Sequence, residues 1–143
     1  MNKDDLLILD ELNKGCSMGI ESLTVIEEKA SDKKFKKLLF NLINIYGDIS
    51  NDINDLKKIE TDEEAKDTSA MSKAMTWGGI QMRTITDDSD SKLSELTMQG
   101  LNMGIIEGRK FLNTGKVDDD VLKILKRYID VQEEYVEEFK EYL

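Results

Sequence analysis

The chain has one cysteine, no histidine and thirty acidic residues among its 143. These limit the chemistry it could perform. A nucleophilic or redox thiol needs a neighbouring base or cation to form thiolate, and a second thiol to resolve it. Cys16 has neither histidine nor a second cysteine to call on, and it stands on an apolar helical row. It reads as a small core side chain. Oxygen ligands are plentiful, and Glu21, Asp48, Asp52, Glu107, Asp130, Glu133 and Glu134 could be grouped into a displaced divalent-cation site. Asp48 and Glu133 share an 85-residue spacing with Asp52 and Glu137, a coincidence expected among so many acids, and a solvated acidic face is the expected reading. No loop has the EF-hand pattern, no Gly-x-x-x-x-Gly-Lys phosphate loop is present, and no Ser/His/Asp or Cys/His set can be assembled. The expectation is a non-enzymatic protein with no cofactor and no metal.

The formal net charge is −10, and no stretch concentrates lysine and arginine without interleaved acids. Such a surface repels phosphate backbones and anionic bilayers, so neither nucleic acid nor membrane is an expected partner. The opening "MNKDDLLILDELNKG" holds only four consecutive apolar residues, too few for a signal or a membrane span. With a lone cysteine, a reducing cytoplasm is the expected compartment.

Apolar residues recur at alternating steps of three and four, the spacing that lines one face of a helix. Leu9, Leu12, Cys16, Gly19, Leu23 and Ile26 make one row over 4–28, and Phe35, Leu39, Leu42, Tyr46, Ile49, Ile53 and Leu56 a second over 32–59. "KASDKK" supplies the turn between them, with Ser31 or Asp32 as cap. A third helix is expected from Ser91 to Asn113, burying Leu93, Leu96, Leu101, Ile105, Phe111 and Leu112. "NTGK" ends it, with Gly115 in a left-handed cap, and "VDDD" opens a fourth whose row runs Val121, Leu125, Tyr128, Gln132, Tyr135, Phe139 and Tyr142. Proline is absent, which suits long helices. The expected fold is an all-α antiparallel four-helix bundle forming one domain over 1–143: a hairpin over 4–59, a crossover over 60–90, and a hairpin over 91–143. The crossover stretch "AMSKAMTWGGIQMRTI" is apolar on several sides and reads as a short helix broken at Gly78-Gly79. Met71, Met75, Trp77, Ile80 and Met82 make it the expected contact surface for a protein partner.

Gly-x-x-Met-Gly-Ile occurs twice, from Gly15 and from Gly100, 85 residues apart. Without gaps, that offset sets Leu39 on Ile124, Phe40 on Leu125, Ile43 on Tyr128 and Tyr46 on Val131, implying two similar hairpins about a pseudo-twofold axis. Glycine within a helix costs roughly 1 kcal/mol relative to alanine. The repeated glycines are therefore expected to allow the first and third helices to approach closely at Gly19, Gly104 and Gly108.

"LNKGCSMGIESL", "FNLINIYGDISNDI", "MQGLNMGIIEGRKFL" and "YIDVQEEYVEEF" resemble, in order, the four helices of bacterial ferritin-like bundle proteins related to rubrerythrin, and most nearly a small uncharacterised family among them. The resemblance implies a di-metal centre built from glutamates on helices one and three and Glu-x-x-His on helices two and four. Carried over residue by residue, those places fall on Cys16, on Leu101, on Gly47 and Ser50, and on Gln132 and Tyr135. None is a carboxylate or a histidine, so the resemblance implies a lost metal site. A neutral network, or a water, is expected there, with Gln132 and Tyr135 able to hydrogen-bond Ser50. The functional expectation is a metal-free bundle acting through protein contact, as a homodimer or an accessory factor. The alternatives are a metalloprotein using non-standard carboxylates for iron or another divalent ion, in storage or stress protection, and a binder of a small apolar ligand in the vacated space.

Overall fold

The structure, a computed structural model, describes residues 1–66 and 86–143. Among them are four helices and no strand: α1 (Lys3–Lys29), α2 (Lys33–Thr61), α3 (Asp90–Leu112) and α4 (Asp119–Phe139), with a closing 3₁₀ turn over Lys140–Tyr142. The stretch holding Met71, Met75, Trp77, Ile80 and Met82, with its expected short helix, lies outside the described residues. No helix among the described residues is long and apolar enough to cross a membrane.

Each helix starts where a short polar side chain can take up a free backbone N–H. Asn2 and Asp5 cap α1 reciprocally, Asp32 accepts from the Phe35 N–H, Ser89 from that of Lys92, and Asp118 from that of Asp120. Gly115 turns the chain away from α3 at φ +69°, a conformation that costs glycine nothing. The four rows meet in one hydrophobic cluster to which every helix contributes. The α1 row is wholly buried, as is that of α2 except half-buried Leu56. In α3 the small residues Ser94, Thr97, Gly100 and Gly108 share the buried face with Leu93, Leu96 and Leu101, while Ile105, Phe111 and Leu112 are only half-buried. That mixture explains the irregular spacing of apolar residues in this helix.

The repeat is visible in the folded chain, with one adjustment. Asp5 and Asp90 stand 85 residues apart near the starts of α1 and α3, and each reaches across to the start of another helix. Asp5 accepts the Asp118 N–H at 3.0 Å, and Asp90 accepts those of Ser31 and Asp32 at 2.8 and 2.9 Å. The same offset pairs buried Ile8, Leu9, Leu12, Cys16 and Leu23 with buried Leu93, Ser94, Thr97, Leu101 and Gly108. It fails for α2 and α4, where it would set exposed Phe40 on buried Leu125. An offset of 86 brings the buried faces together: Phe35, Leu39, Leu42, Tyr46, Ile49 and Ile53 fall on Val121, Leu125, Tyr128, Gln132, Tyr135 and Phe139. One added residue before α4 would otherwise rotate it by about 100°, enough to turn its apolar face from the core.

Candidate functional site

The glycines of the repeat make room for side chains from α2 and α4. A Cβ on Gly19 would stand 2.7 Å from Cε2 of Tyr46, and one on Gly108 2.7 Å from Cγ1 of Ile129. On Gly104 it would collide with the Gln132 carboxamide, and on Gly15 with the Tyr128 hydroxyl. The close approach expected between α1 and α3 is therefore not what these glycines provide. They admit two tyrosines, an isoleucine and a glutamine that an alanine row would exclude.

Gly19 and Gly104 correspond in the repeat, and so do Tyr46 and Gln132, the side chains they admit. The Tyr46 hydroxyl donates to Gln132 Oε1 at 2.9 Å, and Gln132 Nε2 donates to the Tyr128 carbonyl at 3.0 Å. Tyr46 and Gln132 are 2% and 1% exposed, so this uncharged bond stands in the buried middle of the bundle. Cys16 lies in the same region, fully buried. Burial pushes its thiol up to about 12, against a small opposing pull from Arg127. Burial likewise raises the Tyr46 and Tyr128 phenols, each nudged further by the nearby thiol. All three groups are therefore neutral at neutral pH, as a desolvated cluster without a counter-charge requires.

The six positions singled out in the sequence are placed differently from one another. Cys16, Leu101 and Gln132 are buried, and Tyr135 nearly so. Gly47 faces open space, and half-buried Ser50 donates to Asn13 Oδ1 at 2.6 Å. The expected bonds from Gln132 and Tyr135 to Ser50 are absent, because α2 turns Tyr46 and Ile49, not Gly47 and Ser50, to the inner face. Of the acids, Asp52 pairs with Arg127 and Glu133 with Arg109 at the surface, while Asp48, Asp130 and Glu134 are exposed. Among the described residues no group of three or more His, Cys, Asp or Glu side chains could hold a metal ion.

Between α1 and α3 a cleft of about 250 Å³ opens over this centre. Gly15, Met18, Gly100, Met103 and Gly104 form its walls, and Tyr46, Tyr128 and Gln132 lie at its base. The Tyr46 and Tyr128 ring centroids are 6.3 Å apart. Glu11, Lys14 and Glu107 also line it, and Lys14 pairs with Glu11 at 3.0 Å. Partial burial and the Glu11 carboxylate raise Glu107 above the usual carboxylate value, against the opposing charges of Lys14 and Lys110.

A second polar cluster had no signal in the helical periodicity. Asp10 Oδ1 accepts from Lys57 Nζ at 2.6 Å and from the Lys66 N–H at 2.9 Å. Asn13 Nδ2 donates to the Lys66 carbonyl at 3.0 Å, and Asn54 Oδ1 accepts the Ala65 N–H at 2.8 Å. Burial works against the Asp10 charge, but Lys57 and the Lys66 N–H outweigh it and hold the carboxyl below its ordinary value. The available clue was "LLILDELN", in which Asp10 and Asn13 each directly follow a core leucine.

The sequence matches no family model, and no curated protein or solved structure is significantly similar to it.

Proposed function

We propose that this chain is a ferritin-like antiparallel bundle of two helical hairpins joined by a long crossover, in which a neutral core has replaced the metal centre. It acts in the cytoplasm without catalysis, by contact with a protein partner or a second copy of itself. The observation that carries this reading is the Tyr46–Gln132 hydrogen bond, formed where the two halves of the repeat meet. In the ferritin-like frame, the one-residue shift moves the helix-two ligand places to Tyr46 and Ile49, so a phenol and an alkyl chain face Gln132 and Tyr135. Cys16 and Leu101 complete a set of six side chains that carry no charge at neutral pH. Buried carboxylates lacking metal would be costly, and a bundle free of ions gains from neutral, mutually bonded groups there.

The paired contacts support the antiparallel sense: Asp10 meets Lys57 while Asn13 meets Ser50, and Tyr46 meets Gln132 while Asp52 meets Arg127. A contact role is supported by the exposed Leu7 on α1, Phe40 and Ile59 on α2, and Met103 and Ile106 on α3. The expected surface at Met71, Met75, Trp77, Ile80 and Met82 joins them as the principal proposed contact.

Two measurements test the two halves of this reading. Elemental analysis after purification with excess iron, manganese and zinc should find less than about a tenth of an equivalent of metal. About one or two tightly held ions per chain would overturn the neutral core and favour non-standard carboxylate ligands. Light scattering on the full chain should detect an assembly that dissociates when Met71, Met75, Trp77, Ile80 and Met82 are changed to serine. An assembly that survives those changes would refute the assigned surface.

A further inference from the structure

We propose that the cleft between α1 and α3 binds a small arylalkylamine, with its ring against Met18, Met103 and the two tyrosines and its ammonium beside Glu107. This inference does not depend on the contact role above. The volume sets the size class: an apolar cavity of about 150 Å³ accepts benzene, so 250 Å³ accepts one ring with a short arm. The walls set the character of the ring. Gly15, Gly100 and Gly104 present backbone in place of side chains, and thioethers and tyrosine rings supply soft, polarisable contacts. At the base, away from the charged groups at Glu11, Lys14 and Glu107, Tyr128 and Gln132 are almost wholly buried and carry polar atoms that a ring hydroxyl can bond.

The lining sets the charge. Lys14 is paired with Glu11, whereas Glu107 has no ion pair within 4 Å among the described residues, so the lining carries two carboxylates against one ammonium, with Lys110 acting on Glu107 only at longer range. A half-buried carboxylate held above its ordinary value is relieved by a cation placed beside it. A carboxylate ligand would face two glutamates and the protein's overall −10 charge.

The test uses four probes of nearly the same shape: tyramine, neutral 4-ethylphenol, anionic 4-hydroxyphenylpropionate and phenethylamine. Titrated into the full-length chain and followed by amide NMR, tyramine should shift Gly15, Gly100 and Gly104 and bind at least about tenfold tighter than 4-ethylphenol or 4-hydroxyphenylpropionate. Glu107→Gln should remove that advantage and leave 4-ethylphenol binding unchanged. Tyr128→Phe should narrow the gap between tyramine and phenethylamine, which lacks the ring hydroxyl. Equal binding of tyramine and the anionic probe would overturn the proposal, as would shifts confined to the acidic surface. No perturbation up to about 10 mM tyramine would also overturn it. Unchanged tyramine affinity in Glu107→Gln, with helicity retained, would remove Glu107 from the site.

Discussion

The bundle holds two buried polar clusters built on opposite principles. Near the far end of α2, Asp10 and Lys57 form an ion pair and gather backbone groups of Ala65 and Lys66 around them, with help from Asn13 and Asn54. In the middle, Tyr46 and Gln132 form a single uncharged bond. The difference follows from what each place must satisfy. Chain leaving a helix exposes backbone N–H groups, and a carboxylate can accept from one of these and from a lysine together. The centre has no loose backbone to hold and no charged side chain in contact with Tyr46 or Gln132, so a charge there would be unpaired. Charge fastens the chain at the edge of the core, and a neutral bond fills its middle.

The largest expected effect breaks the charged cluster. Asp10→Ala strands Lys57 and the Lys66 N–H, and chemical denaturation should show a loss of about 3 kcal/mol. Adding Lys57→Met should recover much of it, since the orphaned ammonium is then gone. The pH dependence sharpens the contrast. The Asp10 carboxyl lies below its ordinary 3.8 in the folded chain, so its stabilisation is present above that value and lost as pH falls through the folded one. Asp10→Asn should therefore flatten the acid limb of a stability–pH curve. A limb as steep as that of the parent would mean that other carboxylates dominate it.

The centre should break by shape before it breaks by hydrogen bonding. Gly19→Ala drives a methyl into the Tyr46 ring and should cost about 1–3 kcal/mol, less the roughly 1 kcal/mol gained in helix propensity. Gly47→Ala, on the same helix as Tyr46 but facing open space, should instead stabilise by up to about 1 kcal/mol. If both changes shifted the thermal midpoint alike, the proposed role of Gly19 as a socket for Tyr46 would fail. Tyr46→Phe leaves Gln132 Oε1 buried without its donor and should cost about 1 kcal/mol. Because the Tyr46 phenol is raised by burial, that loss should stay constant from pH 8 down through the acid range in which the Asp10 contribution is lost.

Helix positions, the caps at Asp32 and Gly115, and three of the four buried rows were legible in the sequence, because each depends on residues within a few turns of one another. Asp32 and Asp118 cap the helices they precede, and Gly115 takes the left-handed turn expected of it. The third row was harder to read because Ser94, Thr97, Gly100 and Gly108 face inward without apolar side chains to mark them. The Gly-x-x-Met-Gly-Ile repeat was legible too, and its physical meaning was not. Spacing shows that small residues recur, but whether they admit a helix backbone or a tyrosine ring depends on what stands opposite.

By itself, then, the sequence determined four amphipathic helices, their ends and a duplicated plan, since periodicity and capping are local properties. Only the tertiary structure decided which inner faces correspond. One residue between α3 and α4 shifts the register, so that Tyr46 rather than Gly47 corresponds to Gln132. It also decided that Asp10 and Lys57, 47 residues apart, share a hydrogen bond. Such pairings are set by how four helices fill a common volume, and the spacing of residues along one helix carries no record of them.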